Sequence, residues 1–262
     1  ILAACGSHAQ SEAVIVDTAE TLQATLASAQ PGQTISVLPG TYKGKFSVKA
    51  PVSGTAEKPI IIEAADGIGS VILDGTGYHI TVRFNGSGHV IMRDMVITGG
   101  GYHGVFFERA AHDITIENNW IHDNTGVKPL NSHAEVKGSS GNDENRPARI
   151  TIRNNRIYQT AHHPGRNFQG IDCNRCDDFH IVGNHIFDIG RPSERVHSYY
   201  DQGSCIQMKT RTQGTIIERN RIERCHIGIV YGGEGAESPE HIGGIVRNNL
   251  ILLSKNISLV IA

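Results

Sequence analysis

The chain has 262 residues, with 24 Lys and Arg against 26 Asp and Glu. That is enough for one large domain, and too evenly charged for a protein that grips nucleic acid through a broad basic surface. Glycine stands at 30 and Ile, Val, Thr and Asn dominate the remainder, a strand-and-turn composition with no run near the ~20 apolar residues of a membrane-spanning helix.

The first residues, Ile1-Leu2-Ala3-Ala4-Cys5-Gly6, resemble a bacterial lipobox. The resemblance implies that the peptide before Cys5 is removed and that Cys5 is lipidated. Residues 1–13 are then signal remnant and linker. The protein would sit in the bacterial envelope, at the outer membrane or cell surface, or be secreted, touching the membrane only through its lipid. Asp17 is expected to N-cap a short helix from Thr18 to Ala29, whose Leu22 and Leu26 share one face and close the end of an apolar stack. Pro31-Gly32 stops that helix, and strands begin at Thr34 to Leu38. At the far end, Ile257 to Ala262 reads as an uncapped strand, so the sequence is expected to be cut short at both ends, with residues 14–262 as one domain.

Between these ends an eight-residue pattern recurs without gaps: Ile114 to Ile121, Ile150 to Ile157, Phe179 to Ile186, Thr215 to Ile222 and Gly244 to Ile251, with His89 to Val96 as a degenerate copy. The pattern aligns Asn119, Asn155, Asn184, Asn220 and Asn249, with Asp94 in the earliest copy. Apolar residues alternate with period 2 before each asparagine, so these are strands that bend at the asparagine. A constant motif with variable connections is a solenoid with loop insertions. The asparagines are expected to form a ladder that satisfies backbone groups left unpaired by the bend. A second motif precedes each copy, at Gly104 to Glu108, Ala134 to Lys137, Gly170 to Asn174, Cys205 to Lys209 and Gly228 to Gly232. Three short strands per coil, paired in parallel along a right-handed path, make an all-β, right-handed parallel β-helix.

Taking Ile171, Ile206 and Ile229 as inward, the outward residues fall in two columns. One runs Phe106, Glu135, Asp172, Gln207, Val230 and the other Glu108, Lys137, Asn174, Lys209, Gly232. In this register Glu135 and Asp172 are stacked carboxylates at about the 4.8 Å strand spacing, with Lys137 and Lys209 beside them. Long insertions enter this strand and carry His162, His163, Arg166, His197, Tyr199 and Tyr200, residue types that suit a cleft for an extended sugar chain. His162, His163 and His197 are the one histidine grouping that suggests a metal. Cys173, Cys176, Cys205 and Cys225 permit up to two disulfides.

The opening segments Pro39 to Tyr42, Gly54 to Ala64 and Val71 to Gly75, with the repeats, resemble the pectate-lyase-like superfamily of secreted β-helices. The nearest part of it is the alginate lyase and chondroitin lyase branch. The stretch Ser204-Cys205-Ile206-Gln207-Met208-Lys209-Thr210 looks like that branch's Glu-Ile-Ile-Ser-x-Lys-Ser, whose lysine is the base. Ser204 stands at its glutamate, and Tyr231-Gly232-Gly233 where it has Arg-His-Gly. The resemblance implies a polysaccharide partner, a substrate groove on this strand face and β-elimination from a polyuronate. Lys209 or Lys137 would be the base, and Arg166 or Arg211 (Arg175 also) would stabilise charge. Asn174, Gln207, His162, His163, Tyr199 and Tyr200 would bind sugar, and Glu135 with Asp172 could hold Ca²⁺. Two alternatives stay open. One is a glycoside hydrolase using the Glu135 and Asp172 carboxylates; the other is a non-catalytic carbohydrate-binding or adhesion module. A monomer is expected in each case.

Overall fold

A computed structural model describes residues 13–124, 133–160, 168–190, 203–232, 239–254 and 257–261. Cys5, His162, His163, Arg166, His197, Tyr199 and Tyr200, named from the sequence, lie outside the described residues. The strands form three long parallel sheets of nine, eight and eight strands, and every coil gives one strand to each. A right-handed parallel β-helix follows. The helix runs Ala19–Ser28 and buries Leu22 and Leu26. Its cap is Thr18, not Asp17: the Thr18 hydroxyl accepts from the N–H of Thr21 at 3.1 Å, and the Thr21 hydroxyl accepts from the N–H of Thr18 at 3.1 Å. One helical position separates the two candidates, and the reciprocal pair of bonds decides between them.

Alternation along each strand produces inward files of apolar residues. Ile97, Ile121, Ile157, Ile186 and Ile222 stack in the second sheet, and Val82, Val105, Val136, Ile171, Ile206 and Ile229 in the third. All are essentially without solvent contact, each worth roughly 1.5–3 kcal/mol of burial. Two residues along the third sheet, Phe84 stacks on Phe107 with centroids 5.4 Å apart. Gly138 follows in that file. A Cβ there would lie 2.6 Å from Cys176 Sγ and 2.9 Å from Cys173 Sγ, so the two buried thiols occupy the space a side chain would need. Cys205 and Cys225 form a disulfide, while Cys173 and Cys176 are free.

The asparagine ladder is present. The Nδ2 groups of Asn119, Asn155, Asn184 and Asn220 donate to the Oδ1 of the next asparagine at 3.2, 3.0, 3.0 and 2.9 Å. Each of these Oδ1 atoms also accepts the backbone N–H of the asparagine before it, at 2.9–3.0 Å. The earliest copy corrects the expected register by one residue. Met95, not Asp94, stands on the ladder, its N–H reaching Asn119 Oδ1 at 3.0 Å. Asp94 instead joins Asn118, Asn154, Gly183, Arg219 and Asn248 in an adjacent file of left-handed residues with φ from 53° to 66°. That file makes the bend, and the asparagine after it satisfies the exposed amides.

These two files separate cleanly in a stability test. Asn184→Ala removes the bonds to Ile152 O, Asn155 N and Asn220 Oδ1, and should lower unfolding free energy by about 2–4 kcal/mol in urea titration, since buried backbone groups lose partners. Asn154→Gly, at φ 56° and exposed, should leave stability unchanged to within about 1 kcal/mol because glycine adopts that conformation freely.

Candidate functional site

The outer face of the third sheet is built by the strands His103–Glu108, His133–Ser139, Phe168–Asn174, Ser204–Lys209 and Ile227–Tyr231. Register places Phe106, Lys137, Asp172, Gln207 and Val230 in one outward row. Ser139, Asn174 and Lys209 share the next outward row, two residues on. This corrects the expected columns. Val136 takes the inward file with Val105 and Ile171, so Glu135 never lies beside Asp172, and Lys137 takes that place.

The result is a buried Lys–Asp–Lys strip. Lys137 Nζ donates to Asp172 Oδ2, and Lys209 Nζ stands 3.6 Å from Asp172 Oδ1. Asp172 is fully buried, with Lys209 and Lys137 exposed by 2% and 7%. Burial pushes the Asp172 carboxyl up, but the two ammoniums, Lys137 ahead of Lys209, outweigh it and hold the group below its ordinary value. Gln207 is the next residue in the row and donates to Gly232 O at 3.3 Å. Asn174 faces Lys209 across the strands, and its Oδ1 accepts no hydrogen bond from the described residues.

His103, not among the residues singled out from the sequence, belongs to this neighbourhood. Burial first, then the Lys137 charge, drives its imidazole down to about 3, so it is neutral at ordinary pH. Its ring stacks on Phe106 with centroids 5.2 Å apart. Its only sequence signal is its place just before the Val105 strand.

Glu135 is occupied elsewhere. Asn124 donates its side-chain amide to Glu135 Oε2 at 2.5 Å and its N–H to Oε1 at 3.3 Å. The same Asn124 side chain bonds Gly100 N and Ile97 O, so this pair knits a corner between the second and third sheets. Complete burial pushes the Glu135 carboxyl up to about 8, leaving a neutral acid. A neutral carboxyl in one row and an ammonium-bound carboxylate in another do not fit Ca²⁺, which needs converging anionic oxygens. Nor do they give a hydrolase its paired carboxylates.

Arg211 lies in the turn after Lys209. It meets Asp143 Oδ2 at 2.9 Å, where Arg146 also binds Oδ1 at 3.1 Å and Arg175 approaches to 3.8 Å. Arg146 reaches Asp177 at 2.6 Å as well. Three guanidiniums against two carboxylates thus border the ends of the site strands. A second constellation sits at the bend into the first sheet. One ring nitrogen each of His89 and His112 and a carboxylate oxygen of Asp113 lie within 4.8 Å of one another. Sequence spacing does not signal that histidine pair, because the stacking of neighbouring coils brings it together.

Glu135 and His103 give the stability a defined pH response. Folded Glu135 holds its proton from its ordinary 4.5 up to about 8, so stability falls as pH rises through that window. Folded His103 refuses a proton that the unfolded chain accepts below 6.5, so its contribution falls as pH drops from 6.5 toward 3. The two slopes cancel between about pH 4.5 and 6.5, and Glu135 alone acts from 6.5 to 8. Glu135→Gln should therefore abolish a decline approaching about 1.4 kcal/mol per pH unit above pH 6.5, measured by urea unfolding across pH 4.5–8.

Comparison with solved structures finds the same architecture in two polysaccharide lyases and a tailspike protein. An alginate lyase from Paenibacillus sp. str. FPU-7 aligns over 95% of this chain and 99% of its own, with 16% identity and TM-score 0.51. The pectate lyase Pel9A aligns over 90% and 71%, with 14% identity and TM-score 0.54. The Dettilon tailspike protein aligns over 93% of this chain and 42% of its own, with 13% identity and TM-score 0.63. At such identities these likenesses show the fold. No curated protein sequence matches. A family model described as periplasmic copper-binding protein (NosD) matches residues 59–260. The match covers well over half the chain, which therefore belongs to the NosD family.

Proposed function

We propose that the chain binds an acidic polysaccharide along the outer face of the third sheet and cleaves it by β-elimination. The observation that carries this reading is the convergence of Lys137 and Lys209 on the single carboxylate of Asp172. Elimination from a polyuronate needs a cation for the sugar carboxylate, a base for the proton on the adjacent carbon and a donor for the departing oxygen. In this reading Lys137, held by Asp172, supplies the cation. Lys209, an ammonium in the resting site, first gives up a proton to solvent and then takes the one on the sugar carbon. The released electron pair forms the carbon–carbon double bond as the bond to the glycosidic oxygen breaks, and that oxygen takes up the proton Lys209 has just received, with no water consumed. Asp172 fixes both lysines, and Arg175 and Arg211 at the strand ends attract neighbouring uronates. The shared fold with an alginate lyase and a pectate lyase and the likeness of Ser204 to Thr210 to a lyase base segment support the same chemistry.

A second reading carries the family's copper to this chain. Among the described residues, the donors that suit it are the imidazoles of His89 and His112 with the Asp113 carboxylate. Envelope residence is part of the proposal. The Cys205–Cys225 disulfide belongs in an oxidising compartment, and the family's description names a periplasmic protein. No helix among the described residues is long and apolar enough to cross a membrane, and lipidation at Cys5 supplies attachment.

The protein should be incubated with alginate, pectate and chondroitin, following both the ultraviolet absorbance of unsaturated ends and the release of reducing ends. Both signals rising together support elimination; reducing ends alone mean hydrolysis, and neither signal leaves a binding module. Lys209→Ala should lower turnover by about 10²-fold or more, and Lys137→Ala should raise KM for the polyuronate. Full activity in both variants overturns the assignment.

A further inference from the structure

The geometry points to a borderline divalent transition-metal site at the bend into the first sheet, with His89 and His112 as ligands and Asp113 as the residue that positions them. It deepens the copper reading by naming the residues, and is independent of the polysaccharide chemistry.

Three successive coils build the site. His89 follows Gly88 at the start of the strand Gly88–Arg93, and His112 opens the next strand, His112–Glu117, directly over Gly88. The two rings meet edge to face with centroids 5.4 Å apart. Gly88 is what lets the His112 ring lie there: a Cβ on residue 88 would come within 2.2–2.7 Å of three ring atoms. His112 Nδ1 then hydrogen-bonds Asp113 Oδ2 at 2.7 Å. That contact fixes the tautomer and leaves Nε2 as the lone-pair donor, the carboxylate–histidine device of metal sites. Asp113 is itself locked from the third coil, where Arg149 donates Nε to Oδ1 at 2.9 Å and Nη2 to Oδ2 at 2.8 Å. His89 Nε2 stands 4.0 Å from Asp113 Oδ2.

The cluster is already close to ligating dimensions. One ring nitrogen of each histidine and a carboxylate oxygen of Asp113 all lie within 4.8 Å of one another, close to the roughly 4.2 Å that two nitrogens bound to one ion at about 2.1 Å can span. The rings are half-exposed, so small rotations close the gap and water fills the remaining positions. Imidazole donors select copper, zinc or nickel over calcium or magnesium, with Cu²⁺ bound most tightly. Arg149 leaves Asp113 a weak ligand and a strong orienter, since its two bonds use both carboxylate oxygens.

The test is titration of the protein with Cu²⁺, Zn²⁺ and Ca²⁺ by calorimetry, with the Cu²⁺ form also examined by electron paramagnetic resonance. Cu²⁺ and Zn²⁺ should bind with one nitrogen-ligated site, and Ca²⁺ should not compete. H89A and H112A should each weaken that site by at least tenfold. Asp113→Asn should weaken it by about 10–100-fold, as for the orienting partner of a metal-bound histidine. Gly88→Val keeps all three side chains but displaces the His112 ring, and should do the same. Unchanged Cu²⁺ binding in both histidine variants overturns the site while leaving copper binding by the chain intact. Binding of neither Cu²⁺ nor Zn²⁺ overturns both, and Zn²⁺ binding without Cu²⁺ sinks copper alone. Should a histidine variant not fold, wild-type protein decides: Zn²⁺ must protect His89 and His112 from diethylpyrocarbonate, as read by peptide mass spectrometry, and lack of protection sinks the site.

Discussion

Coil-to-coil registration by the asparagine file is the constraint on which the molecule depends. A parallel stack satisfies strand amides automatically, but each bend turns backbone N–H groups away from their ladder. One amide side chain per coil repairs this by accepting from the coil before and donating onward. Rungs at Asn119, Asn155, Asn184 and Asn220 bracket the coils that carry Lys137, Asp172 and Lys209. Because the rungs lock those coils rigidly, insertions between them leave the third-sheet rows in place. Lys137 and Asp172 come from positions 35 residues apart in sequence yet lie on adjacent strands.

The solenoid was legible because its two signals, period-2 apolar alternation and a recurrent asparagine, are local and repeat. The rows of the site were less so. Placing Glu135 beside Phe106 and Asp172 sets Ala134 opposite Val105, which is natural in sequence and wrong by two positions. Ala134 faces His103 and Gln169. A slip of two residues keeps every side chain on its own face, so alternation gave no warning and Glu135 was credited with the place of Lys137. Asp94 was misplaced by a single residue, because its coil has methionine on the ladder and offers no asparagine to align. His103 and the His89–His112 pair carry no local signal, since only the rise from coil to coil brings them to their partners.

Two carboxyls on neighbouring strands show how environment divides one chemistry into two roles. Glu135 has an amide for company and is neutral; Asp172 has two ammoniums and is ionised. The first is a structural joint at the corner of the coil. The second is an ion cluster at a depth where hydrophobic residues of similar volume would commonly serve stability as well or better. It is on this Lys–Asp–Lys strip, rather than on the regular apolar files beneath it, that the proposed elimination draws.

The same reasoning separates the two candidate sites by what each asks of the helix. The ion strip lies on straight strands, where adjacent side chains are held near the 4.8 Å strand spacing and rotamers are confined by burial, so it suits a reaction that needs fixed distances. The His89–His112–Asp113 group lies at a bend, where left-handed backbone at His89 (φ 52°), Asp113 (φ 51°) and Arg149 (φ 53°) throws successive side chains outward into partial solvent. Ligands there can adjust by fractions of an ångström to an ion's demands. A rigid strand face and a compliant corner both follow from one stacking rule, applied at the strand and at the turn.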